Sequence, residues 1–580
     1  MSFLSIVTGG VYTFILYQGV LNVYNMKRHY TTLLFFTFIY SNHLFAQHDY
    51  AKAQHLSTYF LGAQRCGDTK SWIHGACHKT DGQPVGKDLT GGWHDCGDYI
   101  KFHHTGPYTV IMNLVGFRHF PEAYPDNYSQ AFSAPPANGI PDILDEVKIE
   151  TDYLIKCVNG NTIYYQVGGR SDHNSFHEPG KNSSENLYNG SNIRTVYSAT
   201  QANSNALGDG AAALALMSII YSEYDQAYAD ECLTAAKKYY EIARINASSS
   251  ADAEAFAYSW MSNSDYKDNL GTAAIYLYNA TNQNSYLNDA KNYANSVSQW
   301  SSFEYGSIGH LLFFELYKTT GTTSYLSKVA SKVNSYNLAS CGYVHTTSWG
   351  SLRNASNAAL LAALYHLETG EQDAYTFAKR NIDFILGTHG FISNDAPSNF
   401  SFLIGYNELG GGYPQHPHHA AAFGKSSNGW GLFSQESNNP GSVNFEHELT
   451  GGLAGGPESS CSKFIDNVGN YVSSEYCSYY NAAFTSATAY INKVENNIVT
   501  ATSKKEDNSI NYSYTNPVNE NLKISGLDSS EEMEIYNSKG VLVEQIHVQD
   551  DKPINLSHLS TGIYFIKSKT SSWSASIFKQ

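Results

Sequence analysis

The segment "GGWHDCGDYIKF", residues 91–102, places two carboxylates, Asp95 and Asp98, three residues apart behind a Gly-Gly-Trp. Such a pair in a glycine-rich loop fits a solvated turn, a calcium loop, or a proton-transfer site. Only 15% of the residues are charged, so two carboxylates beside a possible metal ligand, His94, are unusual in this chain. The segment is therefore a candidate for the reacting groups.

Two segments far downstream extend this pattern. Residues 463–484, "KFIDNVGNYVSSEYCSYYNAAF", contain Glu475, and residues 402–424, "FLIGYNELGGGYPQHPHHAAAFG", contain His418. In their order and wide separation the three segments resemble the active-site signatures of glycoside hydrolase family 9, an endoglucanase family. The resemblance covers essentially residues 48–494. The signature around the glutamate is matched at Phe464, Asp466, Tyr471, Glu475, Asn481 and Ala482.

The resemblance implies a specific division of chemistry among three carboxyl groups. Hydrolysis of a glycosidic bond needs an acid that protonates the leaving oxygen and a carboxylate on the opposite face of the sugar. The family implies an inverting endo-β-1,4-glucanase acting on cellulose or related β-glucans, with Asp98 as general base and Glu475 as general acid. Asp95 is implied to help hold the attacking water. We expect apolar and aromatic neighbours to raise the pKa of Glu475, because the acid must stay protonated.

Two histidines are implied to contact the substrate, and two positions depart from the family pattern. His173, in "YYQVGGRSDHNSFHEPG", and His418 match the family's sugar-facing histidines. Ala420 stands where the family usually has an arginine that binds sugar hydroxyls, so we expect weaker or shifted substrate binding. Cys477 replaces a Ser, Thr or Ala, a change of tolerable size. Ala420 leaves two alternatives open: a non-catalytic or weakly active glucan-binding relic, or an exo-acting or mixed-linkage β-glucanase.

Four tyrosines flank the glutamate, and their residue type alone leaves two uses open. They can pack in the core, or they can present flat surfaces to sugar rings. The tyrosines in question are Tyr471, Tyr476, Tyr479 and Tyr480.

Two cysteines and two histidines around the first segment form a possible metal set. Two Cys and two His are a common tetrahedral zinc donor set. The set resembles the structural zinc site in one branch of family 9, and its final histidine immediately precedes Asp95. A disulfide between the two cysteines is the alternative in an exported protein. The implied zinc ligands are Cys66, Cys77, His78 and His94.

A second metal site is implied by "SNSDYKDNLGTAAIYLY", which resembles the family's calcium loop. Oxygen donors at this spacing suit Ca²⁺. The alternative is a helix N-terminus with surface acids. We expect no organic cofactor. The implied calcium ligands are Ser264, Asp265, Asp268, Asn269 and Glu304.

The remaining cysteines carry no assigned chemistry. Cys96 has no predicted role, although it lies between the two aspartates. Four others lie outside any motif, and we expect them to be small buried side chains. These four are Cys157, Cys232, Cys341 and Cys461.

The elements that must position these residues are mostly helical. Residues 47–494 show apolar side chains at helical spacing, with Ala-rich helices alternating with amphipathic ones across short Gly/Thr/Asn turns. This pattern predicts antiparallel helix pairs, and the lack of a fixed-length repeat favours a closed (α/α)6 toroid over an open solenoid. Residues 495–512 are polar and predict a linker. Residues 513–580 show short alternating segments, which predict a small β-sandwich-like domain.

The two ends of the chain predict export. Residues 3–24 form an apolar stretch long enough to span a membrane. A second stretch from Met26 has a basic start, an apolar centre and the small residue Ala46 before Gln47, which is the layout of a signal peptide. We expect residues 1–46 to be the signal peptide region, with translation starting at Met26, and a signal anchor is the alternative. The tail resembles the C-terminal sorting domain of the type IX secretion system of Bacteroidetes, which implies that machinery as a partner and a secreted or cell-surface protein. A small carbohydrate-binding module is the alternative. The formal net charge of −16 argues against nucleic acid partners, and we expect a monomer.

Overall fold

The computed structural model describes most of the chain beyond its first 47 residues. The predicted signal peptide, the calcium candidate Ser264 and most of the predicted linker lie outside the described residues. The described residues are 48–127, 137–169, 173, 194–249, 265–423, 429–439, 441–443, 445–496, 498, 513–514, 518–527, 529–537, 542–560, 562–569 and 574–579.

Helices dominate the described residues up to 496. In chain order they are α1 (Tyr50–Leu61), α2 (Gly106–His119), α3 (Asp142–Lys156), α4 (Ser204–Tyr221), α5 (Gln226–Ala243), α6 (Lys267–Thr281), α7 (Asn284–Ala294), α8 (Gly309–Thr320), α9 (Thr323–Ser335), α10 (Ser351–Thr369), α11 (Gln372–Ile385), the short α12 (Ala420–Phe423), α13 (Gly429–Asn438), the short α14 (Tyr471–Ser474) and α15 (Ser478–Glu495). Short 3₁₀ turns lie at Gln83–Val85 and Pro121–Ala123.

The helices form an inner and an outer ring, and the distribution of apolar residues in each helix determines the ring in which it lies. The inner helices α2, α4, α6, α8, α10 and α15 are rich in small and apolar residues and are buried over almost their whole length. The outer helices α5, α7, α9 and α11 bury one face, as amphipathic helices do. Along the inner ring α2 packs on α4, α4 on α6 and α6 on α8, while α10 packs on α15 and α15 returns to α2. The predicted all-α toroid is confirmed.

A small sheet beside the ring supports the segment that carries Asp95 and Asp98. Strand β1 (Lys101–Phe102) pairs antiparallel with β3 (Thr162–Val167), and β3 also pairs with β2 (Val158–Asn159) and β4 (Val196–Ala199). Lys101 lies opposite Val167. This register brings the chain after Asp98 beside the segment that leads to His173.

The C-terminal region is rich in β-strands and has its own hydrophobic core. Its main sheet consists, in spatial order, of β12 (Ser574–Lys579), β11 (Gly562–Ser568), β8 (Glu531–Asn537) and β9 (Leu542–Val548). All neighbours in this sheet are antiparallel, and two short strand pairs lie outside it. Alternate residues such as Met533 and Ile535 are buried, as the period of a half-buried strand requires. The predicted small β domain is confirmed. Its strands are β5 (Ser513–Tyr514), β6 (Asn521–Leu522), β7 (Ile524–Ser525), β8 (Glu531–Asn537), β9 (Leu542–Val548), β10 (Ile554–Asn555), β11 (Gly562–Ser568) and β12 (Ser574–Lys579).

Of the four cysteines expected to be small buried side chains, two agree with the expectation and two do not. Cys157 and Cys232 are buried thiols, as expected. For Cys341 and Cys461 the expectation of small buried side chains is wrong, because both are partly exposed and form a disulfide between loops 120 residues apart. Within the part of the chain that the structure describes, no helix has the length and apolar character needed to span a bilayer.

Candidate active site and metal sites

Asp95 and Asp98 lie on a loop that leads into β1 and then into the inner helix α2. Asp95 is buried, and its carboxylate accepts a hydrogen bond from the Thr105 hydroxyl just before α2. Its backbone N–H donates to the Ile100 carbonyl at 2.8 Å. Burial first, and the nearby Asp98 charge second, hold the pKa of Asp95 well above its ordinary range. Asp95 is therefore suited to hold a partner by hydrogen bonding rather than to carry a full charge.

Asp98 faces outward from the same loop. One carboxylate oxygen accepts the Ile100 N–H at 3.1 Å, and the other lies 2.7 Å from Nδ1 of His173. The Asp98 side chain is 11% exposed and that of His173 is 39% exposed. Solvent can therefore reach the predicted base, and the predicted sugar-binding histidine is its direct neighbour.

Glu475 lies in extended backbone between α14 and α15. Its carbonyl accepts the Gly455 N–H at 2.9 Å, and the preceding residue, Ser474, accepts the His418 N–H at 2.7 Å. One carboxylate oxygen accepts two hydrogen bonds, from Nε1 of Trp349 at 2.8 Å and from the Tyr480 hydroxyl at 3.2 Å. These bonds hold the carboxyl group in one orientation.

The surroundings of Glu475 raise its pKa to about 7. Burial is the largest cause, and the charge of Asp98 acts in the same direction. The hydrogen bonds from Trp349 and Tyr480 oppose this rise because they stabilise the carboxylate. A carboxyl group with such a pKa is protonated in a large fraction of molecules near neutral pH, which is the state that a general acid needs.

Two exposed aromatic side chains stand beside the acid. The Trp349 and Tyr471 side chains are each 47% exposed, and their ring centroids are 5.0 Å apart. Tyr476, Tyr479 and Tyr480 are buried. Of the four tyrosines that flank Glu475, Tyr471 alone has the exposure that a sugar-binding surface requires. Sequence reasoning missed Trp349, since "TTSWG" gives no sign of a contact 126 residues away.

The predicted sugar-binding histidine His418 lies against the acid segment. Its Nδ1–H donates to the Val468 carbonyl at 2.5 Å, and burial lowers the pKa of the ring to about 4. The ring meets Tyr471 edge-on, with centroids 6.0 Å apart. His418 is therefore a neutral imidazole at neutral pH.

Ala420, the position where the resemblance implies an arginine in the family, is fully buried. Its N–H donates to the Gly97 carbonyl at 2.9 Å, and its side chain packs with Tyr99 and Val468. An apolar cluster occupies the space next to this position. Ala420 thus contacts the loop of the two aspartates through its backbone N–H.

A disulfide joins the segment of Asp95 and Asp98 to the segment of Glu475. Cys96, between Asp95 and Asp98, is bonded to Cys477, two residues after Glu475. The sequence motifs assign no role to Cys96 and do not predict that it pairs with Cys477, because the two residues are 381 positions apart in sequence.

The four predicted zinc ligands come together in one buried cluster. Nδ1 of His78 lies 3.7 Å from Sγ of Cys66 and 3.3 Å from Nε2 of His94. The same Nε2 of His94 lies 3.9 Å from Sγ of Cys77. Both cysteines are free thiols, so the alternative disulfide does not form. One donor atom from each residue lies within 4.8 Å of all the others. The set consists of nitrogen and sulfur donors, which fits zinc.

The described members of the predicted calcium set are engaged by the protein. The Asp268 carboxylate accepts the Ile308 N–H at 2.7 Å, and the Asn269 amide donates to Asp209 at 2.8 Å. Glu304 pairs with Arg353 at 3.1 Å. The Asp265 carboxylate accepts the N–H of Lys267, the first residue of α6. With Ser264 outside the described residues, the calcium site stays a prediction.

The comparisons with known proteins agree with this geometry. Residues 50–488 match glycosyl hydrolase family 9. The chain belongs to this family. The match confirms the family resemblance and the enzyme class, a glycoside hydrolase related to endoglucanases.

The chain also resembles proteins and solved structures that are named endoglucanases or cellulases. Endoglucanase A of Bacillus pumilus is 31% identical over 482 residues, which cover 77% of this chain and 66% of that protein. The family 9 chain thus spans about two thirds of the length of this relative. The cellulase Cel9M of C. cellulolyticum, solved with cellobiose, has a TM-score of 0.65 at 29% identity, covering 77% of this chain and 99% of that one. The endoglucanase of the termite Nasutitermes takasagoensis also gives 0.65, at 28% identity, with the same coverage of both chains.

The tail has a match of its own. Residues 513–579 match a secretion-system C-terminal sorting domain. This match confirms the resemblance of the tail and supports a protein that is secreted or attached to the cell surface.

Proposed function

We propose that this family 9 chain is an inverting endo-β-1,4-glucanase that hydrolyses cellulose or related β-glucans. The observation that carries the proposal is the pairing of an outward-facing carboxylate, Asp98, with an acid, Glu475, whose pKa is raised to about 7. An acid and a base in neighbouring segments are what inverting hydrolysis requires. The names of the relatives support a glucan substrate.

In the proposed reaction each side chain has one task. Asp98 takes a proton from the attacking water, and Asp95, kept neutral by burial, holds that water through a hydrogen bond. Glu475 gives its proton to the leaving glycosidic oxygen. The hydrogen bond from Trp349 then stabilises the carboxylate that is left behind.

The exposed Trp349 and Tyr471 supply the surface that binds the sugar in this proposal. Sugar rings pack on flat aromatic faces, and the tilted pair beside Glu475 offers two such faces. His173 and His418 contribute polar contacts on the side of Asp98. Together these groups compensate for the arginine that Ala420 replaces.

The test is hydrolysis of carboxymethylcellulose by wild type and by Glu475→Gln. We expect the variant to lose activity by about 10²–10⁴-fold, since an amide cannot donate the proton that the leaving group needs. Equal release of reducing sugar by both proteins would disprove the assignment of Glu475 as the acid, and no release by either protein would favour the binding-only alternative. A fast fall in viscosity supports endo cleavage, whereas release of sugar without that fall supports the exo-acting alternative. NMR of the first product anomer tests inversion.

We further propose a structural zinc ion held by Cys66, Cys77, His78 and His94. All four positions of a tetrahedral ion would be filled by protein, so the ion would order the loop that carries Asp95 and take no part in the reaction. Elemental analysis of the purified protein tests this: less than one zinc per chain would reject it.

The route of the protein out of the cell is also a proposal. The sorting-domain match favours passage through the type IX secretion machinery, with residues 1–46 as the signal peptide. Deletion of residues 513–580 tests this. We expect the truncated protein to stay inside the cell, and its normal appearance outside would reject the role of the tail.

A further inference from the structure

The Cys96–Cys477 disulfide has an unusual position relative to the reacting groups. Cys96 directly follows Asp95 and lies two residues before Asp98, while Cys477 lies two residues after Glu475. The bond thus connects the segment of the proposed base to the segment of the proposed acid. Both cysteines are buried.

A backbone hydrogen bond also joins the two segments, because the Ser478 N–H donates to the Asp95 carbonyl at 2.9 Å. The side-chain amide of Gln64, which lies outside both segments, donates to the carbonyl of Cys96 at 3.0 Å. Neither aspartate lies in a helix or strand, and Glu475 stands between two helices in extended backbone. Loop positions of this kind are held less rigidly than helices and strands, so a covalent link has a large effect on them.

We propose that the Cys96–Cys477 disulfide is a positioning element that fixes the base segment against the acid segment and thereby sets the turnover rate. The proposal rests on the proposed function, because it concerns the same carboxyl groups. The two cysteines act through Asp98 and Glu475 and do not contact the reacting atoms. Catalysis depends steeply on such placement: a displacement of about 1 Å can reduce the rate by about a hundredfold.

The position of the sulfur supports this role. Sγ of Cys96 lies 3.3 Å from Oδ2 of Asp95, while the other carboxylate oxygen, Oδ1, accepts the hydrogen bond from the Thr105 hydroxyl. In the disulfide this sulfur carries no proton, so it fills space beside Asp95 without donating a hydrogen bond. A free thiol at the same place would donate to the carboxylate and change its protonation.

The second disulfide provides a matched control. Cys341 and Cys461 also join distant loops, but neither lies within ten residues of Asp95, Asp98 or Glu475. The double variant Cys341→Ala/Cys461→Ala removes a cross-link of similar kind. We expect its kcat to stay within about twofold of wild type, since the catalytic segments remain joined.

The first experiment compares Cys96→Ala/Cys477→Ala with this control. We expect kcat on carboxymethylcellulose to fall by about ten- to a hundredfold with little change in KM, because alignment for the reaction is lost while the sugar-binding surface remains. Peptide mass mapping confirms which bond is absent, and thermal unfolding confirms that each variant is folded. A kcat within twofold of wild type in the folded Cys96/Cys477 variant would overturn the proposal.

A second measurement does not depend on the variant folding. Wild-type protein is produced with free thiols and then treated with oxidised glutathione. The two thiols lose two electrons and two protons as the Sγ–Sγ bond forms, and glutathione disulfide is reduced to two glutathione thiols. We expect kcat to rise as the Cys96–Cys477 peptide pair appears, in wild type and in the Cys341/Cys461 control alike. An unchanged kcat would overturn the proposal.

The failure of this proposal is distinguishable from failure of the proposed function. Asp98→Asn leaves the disulfide in place and removes the base. If Asp98→Asn retains wild-type activity, the catalytic assignment is wrong. If Asp98→Asn is inactive and the Cys96/Cys477 variant retains full kcat, the catalytic assignment stands and the positioning role is wrong.

Discussion

Replacement of Trp349 by phenylalanine tests how the protein sets the acidity of Glu475. The indole Nε1–H donates to the Glu475 carboxylate at 2.8 Å. This bond opposes the effect of burial, and the pKa of Glu475 that results from all its surroundings is about 7. Phenylalanine keeps an aromatic face for the sugar but has no donor. The carboxylate then loses a stabilising partner, so the pKa of Glu475 rises further.

The size of this shift follows from the strength of the bond. A hydrogen bond to a charged group contributes about 1.5–3 kcal/mol. Trp349 is 47% exposed, so solvent replaces part of the interaction when the indole is removed. About 1.4 kcal/mol remains, which corresponds to about one pKa unit.

The assay is the pH profile of kcat/KM on carboxymethylcellulose. The acid must be protonated, so activity falls as pH rises through the pKa of Glu475. We expect this basic limb to move up by about one pH unit in Trp349→Phe. Tyr480→Phe removes the longer bond and should move the limb in the same direction by less. Trp300→Phe, at an exposed tryptophan, is the control with no shift. A basic limb that stays in place or moves down in Trp349→Phe would refute this account.

Two further predictions concern the loop that carries the aspartates. A Cβ at Gly97 would lie 2.5 Å from the His418 carbonyl oxygen, so Gly97→Ala should cost about 1–3 kcal/mol of unfolding free energy and reduce kcat. Thermal unfolding and the same assay measure these effects. Gly75→Ala, where a Cβ meets nothing within 4 Å, is the control, and equal stability of both variants would contradict the reasoning. Removal of zinc with a chelator should lower Tm, because an ion at about a thousand times its Kd adds about 4 kcal/mol to the free energy of unfolding. Removal should also expose the Cys66 and Cys77 thiols to a thiol reagent. An unchanged Tm with unreactive thiols would count against the ion.

Much of the fold could be predicted because its pattern is local. The run "GDGAAALALMSII" within α4 is Ala- and Leu-rich on every face and lies fully inside the inner ring, whereas α5 is apolar on one face and lies outside. Burial around a helix depends on residues three or four positions apart, which the sequence displays directly. The ring itself follows from repeating such pairs.

The candidate site was predictable only where short motifs carried it. Asp95, Asp98 and Glu475 lie in recognisable segments, and the structure brings their segments together. Trp349 and the Cys96–Cys477 bond were missed, because each depends on a contact between residues more than a hundred positions apart. The choice between buried and exposed tyrosines likewise depends on tertiary packing, which residue type does not encode.

The order of the helices around the ring has a consequence for how the protein matures. The aspartate loop leads into α2, the first inner helix, and Glu475 immediately precedes α15, the last, and these two helices are neighbours only once the ring closes. During synthesis the base segment emerges several hundred residues before its partner. Contacts of such large sequence separation form late in folding. The proposed active site is therefore completed only at the end of synthesis and folding of this domain. A chain that ends before its last inner helix holds half of an active site.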